Sequence, residues 1–223
     1  MTRTCLKDRS LPNYTRGEEI FNYVTHIVGG GIGVITLAAC IMMALWKSDA
    51  VALSCGIVFG VSMIALYTIS SVYHALYCGT AKKVLQILDH CTIYFLIAGT
   101  YTPMLLCALV RVDAFAAWAT FAVVWGLAIL SITLNAIDLK KYKVFSMIGY
   151  VGTGWAIIFN IGSMYKALGA QGFWLLLGGG ILYTVGIIFY KVGSNKRYFH
   201  SIFHIFVLLG SICHSLSVIF YAL

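Results

Sequence analysis

The sequence predicts an all-α integral membrane protein, a bundle of seven transmembrane helices with a cytoplasmic N-terminus and the C-terminus outside. Three observations predict it. Of 223 residues, 61% are apolar and 10% charged, where a soluble domain carries about 25% charged residues. The apolar residues gather into seven runs, near 21–46, 51–75, 84–110, 114–137, 144–165, 173–190 and 199–223. Each approaches or exceeds the roughly 20 residues that a helix needs to cross the hydrocarbon. The basic residues then fall on one side of those runs.

Lipid offers no hydrogen bonds to the backbone, so runs of this length are read as helices. The alternating pattern of a membrane β-barrel is missing from them. Residues 1–20 form a cytoplasmic N-terminal tail carrying Arg3, Lys7, Arg9 and Arg16, and residues 21–223 form the transmembrane domain. The tail has no apolar stretch followed by a cleavage site, so the first span is expected to serve as the insertion signal. That span holds Gly29-Gly30-Gly31-Ile32-Gly33, whose G-x-x-x-G spacing lets a neighbouring helix approach closely. No strand precedes it and no Lys-Ser/Thr follows, which removes a phosphate-loop reading. In the third span Pro103 predicts a kink. The sixth contains Gly178-Gly179-Gly180, again read as packing. The loops are short, which favours up-and-down neighbours in one bundle.

Orientation follows from the cations. The tail and the loops after spans two, four and six carry Arg3, Lys7, Arg9, Arg16, Lys82, Lys83, Lys140, Lys141, Lys143, Lys191, Lys196 and Arg197, against Lys47, Arg111 and Lys166 opposite. Twelve against three places the N-terminus in the cytoplasm. The net charge of +8 is therefore a topological signal, and nucleic acid is not expected as a partner. The bilayer and its lipids are, while self-association into a homo-oligomer stays open. Seven cysteines without a C-x-x-C pair read as small core residues.

Most of the polar chemistry then falls in one layer on the cytoplasmic side. Span one begins with Glu19, Asn22 and His26 along one helical face; span two ends with Ser70 and His74. Span three begins with Asp89 and His90, and span seven with His200 and His204, one helical turn apart. Polar rings are costly at that depth, so an intramembrane pair on one face marks a functional site. Three imidazoles, His74, His200 and His204, plus a water is the pattern of catalytic rather than structural zinc. Asp89 is either a direct ligand or the partner that holds the water, and its charge with a hydroxide would bring the cluster to neutrality. Ser70 either donates to that water or to a substrate carbonyl, or bonds back to its own helix. His26 supports the site from behind or serves structure. His90 points about 100° away from Asp89, and His214 is read as packing.

These residues carry a resemblance. The order Glu19-x-x-Asn22-x-x-x-His26, Ser70-x-x-x-His74 with Asp89, then His200-x-x-x-His204 resembles the hemolysin III family, the bacterial branch of the progestin and adipoQ receptor family. The stretch from Leu88 to Pro103 is similar as well. The resemblance implies seven helices in the cell inner membrane, oriented opposite to G-protein-coupled receptors. It also implies Zn2+ on the residues matching His74, His200 and His204, with Asp89 reaching it through water. Adiponectin receptors and alkaline ceramidases, related to this family, point to hydrolysis of a lipid amide.

The leading expectation is a zinc-dependent, ceramidase-like hydrolase of a lipid amide or ester, with a role in membrane lipid homeostasis. Zinc lowers the pKa of its water from 15.7 to about 7. Span seven reads His-Ser-Ile-Phe-His and lacks the Glu of zincins, so the base must come from another helix, with Asp89 the best candidate. Ser70 would help the oxyanion. One alternative is a non-enzymatic membrane regulator or receptor with structural zinc. Another is a haemolysin-like pore, which the one-ended distribution of charge argues against. A retinal protein is disfavoured because span seven has no lysine.

Overall fold

A computed structural model of the chain describes residues 4–192 and 196–223. Arg3, one of the cations behind the orientation, lies outside the described residues. Seven α-helices run in order, α1 (Arg16–Trp46), α2 (Ala50–Ala75), α3 (Thr80–Pro103), α4 (Ala114–Asp138), α5 (Lys143–Gly154), α6 (Ile161–Val192) and α7 (Phe199–Ser217), and no strand occurs among the described residues. Among the described residues, six helical stretches are long and apolar enough to cross a membrane. The difference from seven arises between 143 and 192. There the expected fifth and sixth spans form one 50-residue apolar stretch, Lys143–Val192.

That stretch is not a straight rod. A 3-10 segment covers Ala156–Asn160, and α6 breaks at Gly169, where φ is 66° and ψ 176°. The left-handed region suits glycine because no Cβ meets the carbonyl. Trp155 Nε1 donates to Thr184 Oγ1 at 3.0 Å, although a continuous helix would hold residues 29 apart about 43 Å from each other. The two halves therefore lie side by side.

Capping chemistry sets the starts of the helices. α1 begins at Arg16, earlier than the apolar run at 21, because Thr15 and Glu18 form a capping box. Asp49 accepts from the amides of Val51 and Ala52 at 2.9 Å each and starts α2; Asp113 does the same for α4 through Ala116. Pro103 ends α3 as expected of a helix breaker. It has no N–H to return to Gly99, and the chain widens into a π-turn over Met104–Ala108.

α1 packs on α2, α2 on α3, α3 on α4 and α6 on α7, and α7 returns to α1 and closes the bundle. The glycine spacing in α1 serves that packing. A Cβ on Gly29 would enter the ring of Tyr67, and one on Gly33 would sit 3.1 Å from Ile64 Cγ1. Met63, Tyr67, Tyr94, Met104 and Leu105 fill the interior. Outward faces carry large apolar side chains such as Ile35, Trp118 and Phe159, and Phe159 is 88% exposed. That surface suits acyl chains rather than water.

Residues 4–15 pack against the bundle. The Thr4 amide donates to Asp138 Oδ2 at 2.8 Å, Arg9 pairs with Asp138 at 3.8 Å, and Lys83 Nζ donates to the Lys7 carbonyl. This segment lies across the end of the bundle where α1, α3 and α7 begin.

Candidate metal centre

His74 stands in the last turn of α2, while His200 and His204 occupy the first two turns of α7. The side chains meet because α7 packs on α1 and α1 on α2. One ligand atom from each of the three histidines lies within 4.8 Å of the others. His200 Nε2 and His204 Nε2 are 3.1 Å apart, close to the roughly 3.3 Å edge of a tetrahedron with 2.0 Å zinc–nitrogen bonds. Ring centroids are 4.7 Å apart for His200–His204, 4.9 Å for His74–His204 and 5.4 Å for His74–His200.

The polar atoms show what this set lacks. Among the described residues, His74 Nε2 and His204 Nδ1 are buried without a hydrogen-bond partner. Buried ring nitrogens without partners are costly, and the deficit at His74 lies on the nitrogen free to bind an ion. Its other nitrogen is engaged, since Nδ1 donates to Glu19 Oε2 at 2.6 Å. That bond directs the Nε2 lone pair inward, the carboxylate–histidine arrangement that orients metal ligands. Three neutral imidazoles backed by a carboxylate fit a divalent transition metal.

Glu19 is itself held. Lys82 Nζ donates to its Oε1 at 2.5 Å and to the Leu76 carbonyl at 2.8 Å. Asn22 accepts from Ser201 Oγ at 2.7 Å, and its Nδ2 lies 3.4 Å from His74 Nδ1. Of these partners, Lys82 and Ser201 escape sequence reasoning. Lys82 reads as one more loop cation, and only its burial separates it from Lys83. His26 stacks on His204 with ring centroids 3.7 Å apart and meets Tyr67 edge-on.

Tyr14, immediately before the Thr15 cap, stacks on His200 at 4.9 Å with ring planes 19° apart. Burial pushes its phenol well above the usual tyrosine range, so it covers the site as a neutral ring. The only sequence signal for it was an aromatic one residue ahead of a capping box.

A cavity of about 940 Å³ opens beside the histidines. Ser70, Asp89, His26, His200 and His204 line it, whereas His74 and Glu19 do not. Asp89 and Ser70 therefore face the cavity while His74 closes the site from behind. Ser71, the neighbour of Ser70, bonds back to the helix, donating to the Tyr67 carbonyl at 2.7 Å. His90 is tied to the Gln86 carbonyl and Tyr190, and His214 Nε2 lies 3.0 Å from the Leu176 carbonyl of α6. Ile97, Leu176, Phe203 and Val207 supply apolar wall.

The chain is similar to known proteins over most of its length. Residues 14–215 match the family described as Haemolysin-III related. Hemolysin-3 of Bacillus cereus is 39% identical over 206 residues, covering 92% of both chains. The Hemolysin-3 homolog of Bacillus subtilis (strain 168) is 38% identical over 93% of this chain and 96% of its own. The human monocyte to macrophage differentiation factor is 28% identical over 70% of this chain and 66% of its own.

Proposed function

This chain belongs to the Haemolysin-III-related family, and from that premise we propose a zinc-dependent hydrolase that cleaves an amide or ester bond of a membrane lipid. The observation that carries the reading is the convergence of His74, His200 and His204 beside an apolar-walled cavity that also presents Asp89 and Ser70. A zinc clamp does not by itself require a cavity of about 940 Å³ reaching His200 and His204, whereas a lipid substrate does.

When bound, the ion supplies Lewis-acid polarisation and an acidified water; the rest is the work of this chain. Glu19 holds the proton on His74 Nδ1, and Lys82 balances the carboxylate. Asp89 takes a proton from the attacking water and returns it to the departing amine or alkoxide, a contribution of about 10²–10⁴-fold in rate. Ser70 donates to the carbonyl oxygen as negative charge develops there. The apolar walls seat the acyl chain and exclude bulk water.

The topology in this reading has seven spans, a cytoplasmic N-terminus and an outward C-terminus in the bacterial inner membrane. Lys143–Val192 would stretch about 75 Å as one helix, more than twice the roughly 30 Å hydrocarbon, so it counts as two spans turning at Gly169. Twelve of the fifteen cations lie on the side assigned to the cytoplasm.

The experiment is fatty acid release from a panel of ceramides and acyl esters, using zinc-loaded and zinc-stripped protein in nanodiscs. Release only with zinc is expected. Stoichiometric zinc without turnover on any substrate would favour a regulator with a structural ion. Dye leakage from protein-bearing liposomes would favour a pore, the activity implied by the relatives' name.

A further inference from the structure

The cavity's polar opening carries a charge pattern that the hydrolase chemistry does not use. Among the described residues, six cations line it, Arg9, Lys140, Lys143, Lys191, Lys196 and Arg197, against two carboxylates, Glu18 and Asp89. Glu18 is committed to the Thr15 cap and to the Tyr198 amide, which donates to its Oε1 at 2.7 Å. Arg9 is held at the rim by Asp138. Positive charge at this end follows from topology alone. Topology does not require cations from the N-terminal segment, the α4–α5 junction, the end of α6 and the start of α7 to surround one opening. Lys83 and Lys141, near the same end, stay off the lining.

We propose that this opening binds a phosphate group, and that the apolar cavity behind it makes an anionic phospholipid the source. Arg9 pairs with Asp138 and Arg197 acts on Glu18, so the site rests on Lys140, Lys143 and Lys196. Converging like charges repel unless an anion sits among them, and basic pockets between membrane helices on the cytoplasmic side are suited to anionic headgroups. The phosphate rests at the rim while an acyl chain runs past His200 and His204 along Ile97, Leu176 and Val207. The binding site stands on the cavity alone; that the bound lipid is also the substrate rests on the hydrolase reading.

The test is native mass spectrometry of the full chain released from nanodiscs of equal phosphatidylglycerol and phosphatidylcholine with matched acyl chains. Wild type is expected to retain phosphatidylglycerol with roughly tenfold enrichment. The rim variant K140Q/K143Q/K196Q should lose most of that enrichment, and the off-rim variant K83Q/K141Q should keep it. No enrichment in wild type, or equal loss in both variants, would overturn the proposal. Should the rim triple fail to fold, K143Q and K196Q alone are each expected to reduce enrichment, and no change in either would overturn it. A soluble arm uses glycerol 3-phosphate. Full displacement of the lipid at equal concentration would overturn a phospholipid as the source. Retention is read without turnover. Enrichment without hydrolysis on any substrate sinks the hydrolase reading alone, while hydrolysis of neutral ceramides without enrichment sinks this one alone.

Discussion

Replacing Glu19 by Gln separates a built metal site from a coincidental histidine cluster. The carboxylate accepts from His74 Nδ1 at 2.6 Å and from Lys82 at 2.5 Å, with its side chain 18% exposed. Gln can still accept from His74 through its carbonyl oxygen, so ring orientation largely survives. The negative charge that raises the basicity of Nε2 is lost. Loss of such an outer partner weakens metal binding by about 10–100-fold, or about 1.4–2.7 kcal/mol. The same substitution leaves the buried Lys82 ammonium with the Leu76 carbonyl and the Tyr73 ring but no countercharge. Breaking a fully buried pair costs about 3–5 kcal/mol, and the partial exposure of Glu19 puts the expected loss of stability below that range. Lys82→Met isolates the two effects: it should lower stability while zinc affinity holds or rises, because a cation leaves the vicinity of the ion. Zinc affinity is read by competition with a fluorescent chelator, and stability by thermal melting in detergent. Unchanged affinity in E19Q, with His74 still packed, would refute the claim that Glu19 sets the donor strength of that imidazole.

Other perturbations sort the remaining roles. Asp89→Ala should cut turnover by about 10²–10⁴-fold while zinc content by elemental analysis stays near that of wild type; full turnover would remove Asp89 as the base. His200→Ala with His204→Ala should abolish zinc binding itself, leaving one imidazole of the three. Tyr14→Ala uncovers His200 and should speed zinc extraction by a soluble chelator without altering melting; an unchanged rate would mean that the N-terminal segment does not shield the site. Gly29→Leu forces a side chain into the Tyr67 ring and should cost about 1–3 kcal/mol by overpacking, read as a lower melting temperature.

Much of this molecule was legible as sequence because the bilayer imposes simple constraints. Length and apolarity mark the helices, Pro103 marks where α3 loosens, and the Gly29–Gly33 spacing marks where α2 approaches α1. The four-residue spacing of His200 and His204 places two imidazoles on one face from local geometry alone. Other features were beyond that reading. The stretch from 143 to 192 needed the Trp155–Thr184 contact to show its halves lying side by side. The packing of the N-terminal segment on Asp138 is not legible in sequence because it joins residues more than a hundred positions apart.

What the sequence determined by itself was local and periodic: which segments are helical, which faces are polar, and which residue types could hold a metal. The tertiary structure decided which faces meet. It put His74 behind the site and Asp89 at the cavity, buried Lys82 against Glu19 while leaving Lys83 half-buried against the Lys7 carbonyl, and laid Tyr14 over His200. The physical reason is range. Helical periodicity and capping act within about four residues, whereas packing between helices and the neutralisation of buried charge depend on partners that the chain brings together only once it has folded.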